Sequence, residues 1–140
     1  MSEIITYIES LENTHCTGPV SHGLVVKSED ILGIQFSDDY KLLVKQFGNL
    51  MYKHREILGL SSNHIGDCVS YTLEARDEDD TIPTNVYVIS CAGIDGILYL
   101  QGPEGSIYRH SPFGECVKIA NSLEDFIKSS KVYSSTVVQG

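Results

Sequence analysis

"VYVISCAGIDGILYLQGPEGSIYRHSPFGECVKIA", residues 86 to 120, is the stretch on which the fold turns. VYVISC, GILYLQ, SIYRHS and ECVKIA are short runs rich in β-branched and aromatic residues, and AGID, GPEG and PFG separate them. Such runs, punctuated by Gly, Pro and Asp, predict four antiparallel strands joined by hairpins. Gly93, Gly96, Gly102 and Gly105 then serve the turns, because no helix N-terminus follows them to make a phosphate cradle. Just beyond, Ser122-Leu123-Glu124-Asp125 has capping-box spacing ahead of Phe126 and Ile127 and predicts a closing helix.

Upstream the period changes from two to 3.6. In "QFSDDYKLLVKQFGN", residues 35 to 49, Ser37 can accept from an orphan amide while Asp38 and Asp39 occupy the positive first turn. Tyr40, Leu43, Val44 and Phe47 make one apolar stripe, Lys41 and Lys45 lie on the other side, and Gly48 closes the helix. The segment carries core and no catalytic group. Ile4, Ile5, Ile8 and Leu11 predict a helix from Ser2 to Leu11. Thr14 to Gly23 reads as an irregular connection or a weak edge strand. Ser28 is expected to cap a short turn over Glu29 to Leu32 that stops at Gly33. Glu56 to Leu60 suits a short strand. "DCVSYTLEAR", residues 67 to 76, fits both strand and helix periods; we take it as a helix capped by Asp67, with the acidic run that follows as a loop. Helices, then a meander, then a closing helix give an α+β domain.

At 140 residues the chain suits one domain spanning 1–140, with a core over about 28–130 and the last residues, 131–140, expected to fray or add an edge strand. Ten basic and nineteen acidic side chains leave a formal charge of -9. That charge disfavours nucleic acid and anionic lipid, favours a basic protein partner, and also serves solubility. The start lacks a basic and apolar leader, and the most apolar stretch, Val86 to Leu100, is broken by Ser90, Gly93, Asp95 and Gly96. A cytoplasmic protein with reduced thiols is expected.

Chemistry has few places to hide. "EARDEDD", residues 74 to 80, concentrates five acids and one base. It reads as a solvated loop or as a docking patch made of Glu74, Asp77, Glu78, Asp79 and Asp80, and it lacks the spacing of a calcium loop. His15-Cys16 and His64 near Cys68 invite a thiol-nucleophile reading, but nothing supplies the rest of such a site. Cys68, Cys91 and Cys116 lie in segments read as packed, leaving Cys16 as the exposed thiol. The cysteines have no metal spacing, and no phosphate loop, dinucleotide fingerprint or nucleophile elbow occurs, so no metal or cofactor is expected. Tyr87, Tyr99, Tyr108 and Arg109 are either a recognition face or meander core.

The order of "ILGIQFSDDYKLLVKQFGN", "EILGL", "VYVIS", "GILYLQGPEGSIYRH" and "VKIANSLEDFI" resembles the SUKH superfamily, which takes in yeast cell-wall-synthesis regulators and many bacterial immunity proteins. Phe36, Asp39, Tyr40, Phe47, Gly48, Ile57 and Gly59 match its pattern; Ser37 stands where the family often has Pro, and both start helices well. The resemblance implies helices packed on a curved, mainly antiparallel sheet. It also implies a non-enzymatic role with no catalytic residues to carry over: an immunity protein that neutralises a secreted toxin, often a nuclease, by covering its surface. The alternative is a housekeeping interaction module like the eukaryotic members. On the first reading the partner is a cognate basic toxin and the acidic residues at 74 and 77–80 meet it.

Overall fold

The computed structural model describes residues 3–52 and 55–129. Helix α1 (Glu3–Glu9) buries Ile4 and Ile8 one turn apart. Strand β1 (Thr14–His15) leads to helices α2 (His22–Leu32) and α3 (Asp38–Phe47), strands β2 (Leu50–Tyr52) and β3 (Arg55–Ile57), and helix α4 (Cys68–Glu78). The meander follows as β4 (Tyr87–Cys91), β5 (Leu98–Gln101), β6 (Ile107–His110) and β7 (Cys116–Ala120). A fifth helix, α5, covers 123–129, and Ser122 Oγ accepts from the Asp125 amide at its start, 3.1 Å away.

The class is α+β, with all strand pairs antiparallel, but the strands form two sheets where one was expected: β1-β2-β3 and β4-β5-β6-β7. The sheets are stitched at β3 and β4, where Leu58 N donates to Ile89 O at 2.7 Å and Ser90 Oγ donates to Glu56 O at 2.7 Å.

Two local readings need correction, and one strand goes beyond what was read. Helix α2 is a full helix starting seven residues before the predicted turn: Ser21 is its cap, accepting from Leu24 N at 3.1 Å. Ser28 sits inside it, buried, its hydroxyl donating to Leu24 O at 2.8 Å. A serine bonding back four residues is compatible with a helix interior, so a cap-like residue there marks no start. Of the two readings of Thr14 to Gly23 the edge strand holds over 14–15, while its partner at 50–52 was not foreseen: the two pair as β1 and β2, with Thr14 opposite Tyr52. Finally, α4 runs on through Glu78, so most of the acidic run is helical. The predicted fraying of 131–140 lies outside the described residues.

The residues that match the family pattern hold the elements together. Ser37 caps α3, accepting from Tyr40 N at 3.2 Å. Tyr40 is fully buried and donates to Leu58 O at 2.7 Å. Phe36 packs edge-on against Tyr40 and Tyr87, with ring centroids 5.0 and 4.8 Å apart. Tyr87 Oη accepts from Ser37 N and donates to Gln101 Oε1, both at 2.8 Å. Asp39 accepts from Gln101 Nε2 at 3.0 Å and from Leu123 N at 2.8 Å, tying α3 to β5 and to the first turn of α5. Burial raises the hydroxyls of Tyr40 and Tyr87 well above the usual tyrosine range, so both stay neutral hydrogen-bond donors.

Candidate partner-binding face

Antiparallel register brings three separate pieces of chain to one end of the meander. Cys91 pairs with Leu98, Leu98 with His110, and His110 with Cys116, so the 92–97 and 111–115 turns project side by side. The two tips touch: a Cβ added at Gly96 would fall 2.9 Å from Pro112 Cγ. Asp79, the C-cap residue of α4, fastens the helix end to them. Its Oδ2 accepts from Phe113 N at 2.6 Å, and its Oδ1 accepts from Thr81 N at 2.9 Å and Thr81 Oγ1 at 2.5 Å. Thr81 Oγ1 lies 3.0 Å from His110 Nε2. Between helix end and tips lies a cleft of about 190 Å³, lined by Glu78, Asp79, Ile82, Leu98, His110 and Phe113 among others.

Apolar groups crown this end. Phe113 is 70% exposed with φ +53°, and Ile94, on the neighbouring tip, is 56% exposed. Acids surround them. Glu74, Asp77 and Glu78 are exposed and lie three and four residues apart on one face of α4; Asp80, Asp95 and Glu115 are exposed too. Of the five acidic residues singled out in the sequence, four therefore form an open surface. Asp79 differs from them: it is buried, and its carboxylate is occupied in holding the Phe113 tip.

Burial tends to raise the Asp79 carboxyl, but the bonds from the Thr81 hydroxyl and from the Phe113 and Thr81 amides, helped by nearby His110, outweigh it and hold it below its ordinary value. A carboxyl depressed on folding stabilises fully above the unfolded value of about 3.9 and loses that contribution as pH falls through the lower folded value. The Phe113 amide resonance, followed by NMR in an acid titration, is expected to move with a midpoint below about 3.9. A midpoint at or above that value would contradict the bonding described.

The other sequence candidates fall elsewhere. Cys68 is fully buried, and burial pushes its thiol up to about 12, outweighing the opposing influence of the nearby Tyr40 and Thr72 hydroxyls. His64 turns away from it, with Nδ1 3.0 Å from Asp67, the residue that caps α4 in a reciprocal box with Ser70. Cys91 and Cys116 were expected to be packed; Cys91 is exposed at the end of β4, and Cys116 is half-buried on the edge strand β7. Cys16 is exposed, as expected. Tyr87 and Tyr99 belong to the core, Tyr99 lying against Phe126 and under Arg55, while Tyr108 and Arg109 are half-buried, so the four share no open face. Among the described residues no group of three or more His, Cys, Asp or Glu side chains could hold a metal ion, and no helix is long and apolar enough to cross a membrane.

Sequence reasoning missed His110, Phe113 and Ile94. A Pro-Phe-Gly turn, with a large aromatic at a tip, was the available signal for Phe113. His110 sits at a strand end, where only the register reveals that it meets α4.

The sequence profile of a family described as SUKH_5, SMI1-KNR4 cell-wall, matches residues 1–133. A crystal structure of a protein from Pseudomonas syringae pv. tomato is similar in fold, with a TM-score of 0.69 over 91% of this chain and 96% of that one, at 15% sequence identity. No curated protein matches the sequence.

Proposed function

This chain belongs to the SUKH_5, SMI1-KNR4 cell-wall family, and from that premise we propose that it is a cytoplasmic immunity protein that neutralises a basic protein toxin by covering its surface. The observation that carries this reading is the placement of acids against the local electrostatics of the fold. Asp77 and Glu78 occupy the last turn of α4, where the helix dipole is negative, and Asp80 follows the cap. Each acid at such an end costs roughly 0.3–1 kcal/mol, and Glu74 and Glu78 repel at i,i+4. Folding gains nothing from that arrangement, whereas a cationic partner does. The exposed Phe113 and Ile94 supply an apolar centre to the acidic rim, the usual anatomy of a binding patch. A nuclease, whose own surface must attract phosphate, is a fitting target. A standard interface would cover on the order of 800 Å² of each partner. No catalytic step is assigned to the chain.

Co-expression with the toxin reading frame adjacent to its gene tests the proposal. Growth rescue and a complex that forms at low salt are expected; a lethal toxin and no complex would defeat it. The cell-wall description of the family favours a second reading, a housekeeping interaction module, and a gene neighbourhood without any toxin would select it.

A further inference from the structure

We propose that the Phe113 tip is a preset plug for an apolar socket with a cationic rim on the partner protein, and that Asp79 is the positioning residue that holds it ready. The inference takes its basic partner from the immunity reading and its geometry from the tip alone.

The tip is a turn built for a different residue. Gly114 N donates to Ser111 O at 2.9 Å, so Pro112 and Phe113 are the two central residues of a β-turn. Proline suits the first place. The second is left-handed, with φ +53°, where glycine or asparagine is favoured. The adjoining tip obeys that preference: Ile97 N donates to Ile94 O at 3.1 Å, and the left-handed places between them fall to Asp95 and Gly96. At 113 the place goes to phenylalanine, although glycine is next in the chain. A bulky side chain there is strained, and burial does not offset the strain, because Phe113 is 70% exposed.

Strain of this kind persists only where the surroundings fix it. Asp79 Oδ2 takes the Phe113 amide at 2.6 Å, and its Oδ1 is held by the Thr81 amide and hydroxyl. That hydroxyl lies 3.0 Å from Nε2 of His110, a fully buried residue of β6. A chain of bonds thus runs from the interior of the sheet to the backbone of one exposed aromatic residue. Backbone ordered before association loses no further freedom on docking, which is the advantage of a preset plug.

The surroundings also say what the ring meets. The two tips and the 74–80 run carry a single base, Arg76, whose guanidinium is turned to Leu32 O and Thr84 O at 3.1 and 3.0 Å. Asp95 and Glu115 stand exposed in the tips themselves, and Glu78 lines the same cleft as Phe113. A second copy docked about a two-fold axis would set these acids against themselves. A socket edged by Lys or Arg is the complement.

Phe113→Gly gives a test that needs no partner. It relieves the left-handed strain and removes only an exposed ring, so its urea midpoint is expected to equal or exceed that of the parent. A lower midpoint would show that the ring serves the fold and would overturn the inference. The second test places a photo-crosslinker beside the ring, as Ile94→p-benzoylphenylalanine, in cells that also carry the reading frames adjoining the gene. Capture of a basic protein is expected, and it should fail when Phe113→Ala is added. With the captured pair purified, Phe113→Ala should weaken affinity about thirtyfold, as at an interface hot spot. Asp79→Asn should weaken it about fivefold when Phe113 is present and not at all beside Phe113→Ala, a coupling that a merely structural role for Asp79 would not produce. Capture of nothing, of an acidic protein or of a second copy overturns the inference, as does binding that survives Phe113→Ala or independent effects of the two variants. A captured basic protein with failed toxin rescue would remove the immunity reading and leave the plug standing; rescue without capture at Ile94 would do the reverse.

Discussion

Gly59→Ala is expected to destabilise the protein by roughly 3 kcal/mol or more. A Cβ at position 59 would stand 2.4 Å from Gly48 O, 2.7 Å from Gly48 C and 2.9 Å from Asn49 N, all of them backbone atoms with no rotamer to swing aside. Gly48 cannot retreat. With φ +82°, its own Cβ position lies 2.2 Å from Gly18 O, and Gly18 N donates to Phe47 O at 2.8 Å behind it. Three backbone segments, at 17–18, 48–49 and 59, thus meet at close range, and the Thr17 and Asn49 side chains bond the first two together. Movement at residue 59 would also disturb Leu58 O, which accepts from Tyr40, and Gly59 O, which accepts from Cys68 N at the start of α4 at 2.8 Å. The comparison is Gly33→Ala: φ there is +69° with nothing within 4 Å of a new Cβ, so only the left-handed conformation is penalised, by about 1–2 kcal/mol. Urea unfolding of the two variants separates steric from conformational cost. Equal losses, or a Gly59→Ala loss under about 1 kcal/mol, would show that the backbones are not in firm contact.

These glycines explain why the family-like pattern was legible in the sequence while its purpose was not. Tyr40, Gly48 and Gly59 lie far apart in a linear reading, and each has an innocent local role as stripe, helix stop or strand end. Their joint role, a tyrosine hydroxyl and two bare backbones clamping one crossing point, exists only after folding. Helix α3 and the meander could be read because the causes are local: a cap, a stripe and a stop for one, alternation and turn residues for the other. Strand β2 could not, and β1 only as one of two alternatives, since two or three residues carry no period and their pairing spans 14 to 52. Helix α2 was obscured by Ser28, a good cap residue used inside a helix.

The acidic run shows the same limit at the functional face. Asp79 and Asp80 are neighbours of identical chemistry, yet one is buried with three donors around it and the other is exposed. What separates them is the Phe113 amide, contributed from 34 residues further along the chain. A charge patch inferred from composition therefore contains one residue that must be left alone in any test of it.

Glu74→Lys, Asp77→Lys and Asp80→Lys together should move folding and binding in opposite directions. All three are exposed, and none of them shares the Asp79 network or lines the cleft. The formal charge rises by six from -9. At the negative end of α4, lysines are the favoured residues, so replacing Asp77 and Asp80 is expected to leave stability unchanged or raise it by some tenths to about 1 kcal/mol. Association with the basic toxin, once co-expression has identified it, should by contrast slow by about tenfold or more at low ionic strength. The gap should narrow as salt is raised, because at about 0.15 M charges separated by more than about 8 Å are largely screened. Dissociation should change much less, as rim charges act chiefly on the rate of encounter. Stopped-flow association across a salt series, with urea unfolding of the same variant, reads both signs at once. An unchanged association rate at low salt would move the steering surface away from α4. A variant that binds slowly only because it is less stable would leave the four exposed acids without the role assigned to them.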